Sequence, residues 1–213
     1  MLYSRFEKLP EEKKERILKA CIEEFSQNSY DNASTNRIVE KSGISKGILF
    51  HYFGNKRNLY FYVFDYVLGF VNEYIMEKLN KAFKDPKADF FERLIKTGFI
   101  KMELAHEHPV MYGVLFSSIN VPNDLRKDMQ SRYEKTYKKY MSVLLDKMDV
   151  SKFRKGIDRN KAVEIIFFAL EGLSSKYMNI LKGMTVEEVF SRMEGIIEDY
   201  YEYIDIIKNG IYQ

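Results

Sequence analysis

The chain has 213 residues, 46% of them hydrophobic, which is enough to build one large domain or a small module joined to a larger one. Its single cysteine, Cys21, excludes an internal disulfide framework and any multi-cysteine zinc site and fits a reducing compartment. The net charge of +3 lies wholly within residues 1–58, and residues 59–213 are balanced; this predicts a basic N-terminal module for a polyanion, attached to an electroneutral body.

Residues 1–10 lack the apolar run and small-residue cleavage site of a secretory signal, so the cytoplasm is the expected compartment. Pro10 with Glu11 and Glu12 makes a good first helical turn, since proline has no amide to lose there and the acids face the positive end of the dipole. That first helix runs to Gln27, with Ile17, Ala20, Cys21 and Phe25 at helical spacing, and Cys21 reads as a small buried residue. Ser34 can cap a short second helix that ends at Ser42 with Gly43 as its turn, and Ser45 a third that runs to Phe53. Gly54-Asn55 then breaks the chain before a long helix from Lys56 to Lys84. Its apolar stretch from Leu59 to Met76 is interrupted by Asp65, Asn72 and Glu73, short of the ~20 apolar residues a membrane span needs. Further helices are expected over Ala88 to Glu107, Pro109 to Ser117, Asn123 to Met148, Arg159 to Leu181 and Val186 to Lys208, the last opened by a Thr185–Glu188 capping box. The fold class is all-α, about nine helices: a three-helix head joined by a long helix to a helical body. The expected domains are residues 1–58 and 59–213.

Short helix, glycine-containing turn, short helix is the pattern of a helix-turn-helix, whose second helix enters the DNA major groove. Thr35 and Asn36 offer a hydroxyl and an amide beside free backbone N–H groups, which suits a phosphate. Lys56 and Arg57 open the long helix, where repulsion from the dipole argues against a purely structural role and a phosphate would satisfy both. In the third helix, Gly47 permits close approach to base edges, Lys46 can donate to guanine, Phe50 can touch a thymine methyl and Tyr52 can reach a phosphate.

The stretch Gly43-Ile44-Ser45-Lys46-Gly47-Ile48-Leu49-Phe50-His51-Tyr52-Phe53-Gly54-Asn55-Lys56-Arg57-Asn58-Leu59, with Ala20, Phe25, Tyr30-Asp31, Ser34-Thr35, Ile38-Val39 and Ser42-Gly43 upstream, resembles the tetracycline-repressor-like (TetR) family of transcriptional regulators. The resemblance implies that Ser45, Lys46, Gly47 and Phe50 face bases, that Thr35, Tyr52 and Lys56 face phosphates, and that Asn36 reaches a base. Ile48 stands where the family often has a hydroxyl residue and Phe50 where it usually has tyrosine, removing one phosphate contact and one phenolic hydrogen bond. His51 is open to a base contact or to helix packing, and Phe53 reads as packing.

The family's C-terminal region implies an inducer pocket and a dimer made by the last two long helices. Val163, Ile166, Phe167, Leu170, Leu173 and Tyr177 share one broad face, and the last helix repeats Val186, Val189, Phe190, Met193, Ile197, Tyr200 and Ile204; both suit burial against a second subunit or within one chain. Methionines and aromatics in the body read either as ordinary core or as a plastic apolar pocket, with Met102, His106, Tyr112, Phe116, Tyr133, Tyr137, Phe168 and Met178 as candidates. His106-Glu107-His108 does not converge two imidazoles on one metal. No nucleophile elbow, phosphate-cradling loop or H-E-x-x-H spacing occurs, so neither an enzyme nor a cofactor is expected. The expected function is a homodimeric repressor on palindromic double-stranded operator DNA, released by a small apolar or amphipathic effector. The alternative is a DNA-binding factor that has no inducer or needs a corepressor.

Overall fold

Side-chain caps open several of the helices. The computed structural model describes residues 3–83, 89–145 and 150–211. Among them run α1 (Ser4–Glu7), α2 (Glu11–Gln27), α3 (Thr35–Ser42), α4 (Lys46–Phe53), α5 (Lys56–Ala82), α6 (Phe90–Glu107), α7 (Pro109–Ser117), α8 (Asn123–Leu145), α9 (Arg159–Leu181) and α10 (Val186–Ile211), with 3₁₀ turns at Ser118–Asn120 and Val150–Lys152. The expected ends at Lys84, Ala88 and Met148 lie outside the described residues.

The Ser34 hydroxyl accepts from the Arg37 amide at 3.4 Å and the Ser45 hydroxyl from the Ile48 amide at 3.3 Å, so each short helix starts on its expected cap. Gly43, at φ 64°, ends α3 in the left-handed region that a side chain would disfavour. At α10 the Thr185 amide donates to Glu188 at 2.7 Å while the Thr185 hydroxyl accepts from the Glu188 amide at 3.3 Å, completing the capping box. One helix was not expected. The single turn α1 exists because Phe6 is fully buried against Phe53 and Tyr62, at ring-centroid distances of 4.8 and 5.3 Å.

The described chain divides into two compact units. The first comprises Met1–Glu73 and Leu104–Glu134, so it holds α1 to α4, most of α5, α7 and the start of α8. Its core is Ile17, Cys21, Phe25, Ile38, Leu49, Phe53, Leu59, Tyr60 and Phe64, all at most 1% exposed. α2 packs extensively on α7. Asp124 and Asp128 of α8 hold Arg57, at 3.2 and 2.8 Å, and Arg132 pairs with Asp65.

The second unit comprises Tyr74–Glu103 and Lys135–Gln213. Asp89 caps α6 by accepting from the Phe91 amide at 2.8 Å, and its other oxygen lies 3.2 Å from the Lys152 ammonium. On α9, Ile166, Leu170, Leu173, Tyr177 and Leu181 are buried, one residue every three or four. Lys176 of α9 bonds Asp199 of α10 at 2.6 Å, and Tyr177 donates to the same carboxylate.

Candidate nucleic-acid interface

Residues 34–56 of the first unit form the site, and its rigidity starts with an ion pair between a buried carboxylate and an exposed guanidinium. Glu24 of α2, only 2% exposed, accepts from Arg37 of α3 at 2.9 and 3.0 Å and from the Ser34 amide at 2.7 Å. Burial pushes the Glu24 pKa up, but the Arg37 hydrogen bonds and the Ser34 amide outweigh it and hold the carboxyl below its ordinary value. The first turn of α3 is thereby fixed on α2. Arg16 of α2 donates to the Ser42 carbonyl at 3.0 Å and secures the other end of α3.

α4 then has one face inside and one outside. Leu49 and Phe53, one turn apart, are 0% and 1% exposed. Ser45, Lys46, Gly47 and His51 are exposed, while Phe50 and Tyr52 are half-buried. At the start of α3, Asn36 is exposed and Thr35 half-buried, next to first-turn amides that have no partner within the helix. The head therefore presents a helix N-terminus and the open face of a second short helix, which together can grip a phosphate and read a groove.

Lys56, at the start of α5, lies over the Tyr30 ring at 4.9 Å from the centroid and donates to the Asp31 carbonyl at 3.3 Å; partial burial lowers its pKa. Its neighbour Arg57 departs from the expectation of a phosphate ligand. Asp124 and Asp128, distant in sequence, satisfy its guanidinium, and the Asp124 carbonyl accepts from it at 3.2 Å.

The sequence reading also missed residues here. Arg5 of α1 sets its guanidinium 3.1 Å from Nε2 and 3.3 Å from Nδ1 of His51. The α1 turn thus touches α4 directly, through Phe6 on Tyr52 at 5.9 Å as well. Tyr3 and Phe6, aromatic residues ahead of Pro10, were the available signal. Ile48, set aside as a departure, is 39% exposed on α4 and offers an aliphatic surface of the kind that meets a thymine methyl.

The candidate ligand residues separate. Tyr112, Phe116 and Tyr133 come together in the first unit: Tyr112 meets Phe116 edge-on at 4.9 Å, and the Tyr133 hydroxyl is 3.0 Å from that of Ser118, just after α7. His106 is exposed near the end of α6, and Met102 is half-buried one turn earlier. Phe168 and Met178 lie on the open side of α9, 68% and 40% exposed. The side chain of Tyr137 lies outside the described residues.

Residues 17–63 match the family model described as bacterial regulatory proteins, tetR family. The chain is similar to the HTH-type transcriptional repressor AcnR of Corynebacterium glutamicum, 35% identical over 51 residues, which cover 24% of this chain and 27% of that protein. It is also similar to AcnR of Corynebacterium efficiens, 23% identical over 194 residues that cover 89% of this chain and 92% of that protein. Among solved structures, a TetR family transcriptional regulator from Chloroflexus aurantiacus superposes with a TM-score of 0.56 at 20% identity, covering 98% of this chain and 97% of that one. The regulator FadR from Bacillus subtilis, solved in complex with stearoyl-CoA, does so with a TM-score of 0.56 at 17% identity, covering 86% of this chain and 95% of that one. With its two short helices capped and one side of α4 exposed, the head is similar over residues 17–63 to the bacterial regulatory proteins of the tetR family, and the chain shares its fold with solved regulators of that family.

Proposed function

We propose that this chain is a transcriptional regulator of the tetR family, a homodimeric repressor that binds a palindromic operator in the cytoplasm and is released by a small apolar or amphipathic effector. The observation that carries DNA binding is the division of α4: Leu49 and Phe53 are sealed in the core, while Ser45, Lys46, Gly47 and His51 are exposed. Base readout falls to Lys46, Gly47 and Phe50 with Asn36, and phosphate contact to Thr35, Tyr52 and Lys56. Residues 1–58 serve as the DNA-binding domain and residues 59–213 as the sensing and dimerisation domain.

The dimer reading is supported by Ile165 and Phe168 on α9 and Ile206 on α10, which are 56%, 68% and 68% exposed. Apolar side chains exposed on both of the last two helices fit a self-complementary interface with a second copy. An amphipathic effector is in keeping with the stearoyl-CoA bound by the B. subtilis neighbour. In the dimer, two reading helices would address half-sites about 34–36 Å apart, and the effector would favour a spacing that no longer fits.

Selection of bound duplexes from a random pool by the purified protein tests this. A palindromic site, lost on addition of an effector found by screening, is the expected outcome. Enrichment of a site with no sensitivity to any effector would replace it with the inducer-independent reading, and enrichment only when a small molecule is added would replace it with the corepressor reading.

A further inference from the structure

One polar atom in the core of the first unit has no partner. Tyr60 of α5 is 0% exposed, and its hydroxyl makes no hydrogen bond among the described residues. The Ser117 hydroxyl lies beside it and donates to the Val114 carbonyl at 2.9 Å. A buried donor left without an acceptor is costly and persists where something else supplies the acceptor.

The surroundings show what that would be. Tyr133 of α8 bridges the two helices on either side: its ring meets Phe64 of α5 edge-on at 5.2 Å, and its hydroxyl reaches Ser118, just beyond α7, at 3.0 Å and the Leu115 carbonyl of α7 at 3.4 Å. Tyr60 is one turn before Phe64 on α5, and Tyr112 is one turn before Leu115 on α7. We propose that the hydroxyls of Tyr60, Tyr112 and Tyr133 form the polar end of an effector site between α5, α7 and α8, which takes an uncharged apolar molecule bearing a carbonyl oxygen. This deepens the ligand-responsive reading and rests on it.

Chemistry selects the ligand class. Phenol hydroxyls donate well to an oxygen acceptor, and Phe64 and Phe116 supply apolar walls. The residues that form the site carry no charge, so a carboxylate would be buried there without a counter-ion, at high cost, whereas a ketone or ester carbonyl would not. The site also adjoins the DNA head. The Tyr60 ring meets Phe25 at 5.0 Å and Tyr30 at 5.2 Å, and Tyr30 is the ring on which Lys56 rests. A ligand that shifts Tyr60 therefore shifts the seat of a phosphate-binding lysine.

The test uses full-length protein and 2-decanone as probe, with decane and decanoate as the acceptor-free and charged counterparts, each titrated by calorimetry. The expected result is that 2-decanone binds, that the other two bind at least tenfold more weakly, and that Tyr60→Phe and Tyr112→Phe each weaken 2-decanone by roughly fivefold to tenfold. Without ligand, Tyr60→Phe should raise Tm by about 2–4 °C, because it deletes an unpaired buried hydroxyl. Absence of 2-decanone binding, equal binding of decane or decanoate, unchanged affinity in both variants, or a lower Tm for Tyr60→Phe would each overturn the site. Operator binding is read separately. Binding of 2-decanone through Tyr60 with no effect on DNA keeps the site and removes the ligand-released reading; a screened effector that releases DNA equally from Tyr60→Phe and the parent removes the site and keeps that reading.

Discussion

Gly113 of α7 lies directly on Ser26 of α2: a Cβ added at Gly113 would stand 3.1 Å from the Ser26 Cβ and 3.2 Å from its carbonyl oxygen. The neighbour at this crossing is backbone as well as side chain, so neither helix can yield cheaply. Gly113→Ala should therefore destabilise the protein by about 1–3 kcal/mol through overpacking, despite the better helix propensity of alanine. Because α2 carries the head, operator affinity should fall too. Urea denaturation and a DNA titration of the same variant check both; unchanged stability would mean that the two helices slide past one another freely.

The Glu24–Arg37 pair makes the stability of the head depend on pH. Its folded-state pKa lies below the ordinary 4.5, so the pair's contribution is fully present above that value and is lost as pH falls through the folded value. Glu24→Gln should cost about 1–3 kcal/mol at pH 7, and its deficit against the parent should shrink as acid is added below pH 4.5. Parallel denaturation curves at pH 7 and in the acid range measure this, and a deficit independent of pH would assign the loss to shape rather than charge.

Lys46 and Lys56 should fail differently. Lys46→Ala should lose roughly 1–3 kcal/mol mainly on the operator. Lys56→Ala should weaken operator and random DNA alike and reduce the slope of affinity against salt by about one. Binding isotherms at several salt concentrations on both DNAs distinguish them, and equal effects on both DNAs from each variant would exchange or merge the two roles.

On the last two helices, Phe168→Asp should convert dimer to monomer. Phe168 is 68% exposed, so the substitution costs the single chain little, while an aspartate in a desolvated interface would be costly. Light scattering after size exclusion reads the mass, with thermal unfolding confirming that the fold survives. A folded Phe168→Asp dimer would move the interface elsewhere.

Phe6→Ala tests whether the N-terminal turn belongs to the reading surface. Loss of this fully buried ring, which lies against Tyr52, Phe53 and Tyr62, should cost about 3 kcal/mol. It should also free Arg5 from His51 and so lower operator affinity in a sample that is still mostly folded. Unaltered affinity would make α1 a support for the fold alone.

What could be read from the sequence was local. Ser34, Gly43, Ser45 and the Thr185–Glu188 box lie where expected because a cap is decided within four residues of itself. Features joined across the chain were not legible. α1 is held by aromatic rings about fifty residues away, and Glu24 meets Arg37 across a turn whose path no periodicity specifies. Arg57 shows the limit of a local argument. The dipole at the start of α5 pointed to a phosphate, but two aspartates far along the chain neutralise it. For the ligand residues, composition told which side chains are adaptable but not which way they point. Tyr112, Phe116 and Tyr133 cluster, Phe168 and Met178 face outward, and Tyr60, the most telling hydroxyl, was not among the candidates.

Cys21, the chain's one thiol, sits at 0% exposure on α2, and burial pushes its pKa well above the usual thiol range. It is inert while the head stays closed, so a disulfide reagent can reach it only during a transient opening of the packing around α2. The protein thus carries a native stopwatch. The labelling rate of Cys21 counts breathing events of the DNA head without any engineered probe, and an operator that clamps the head should slow that count.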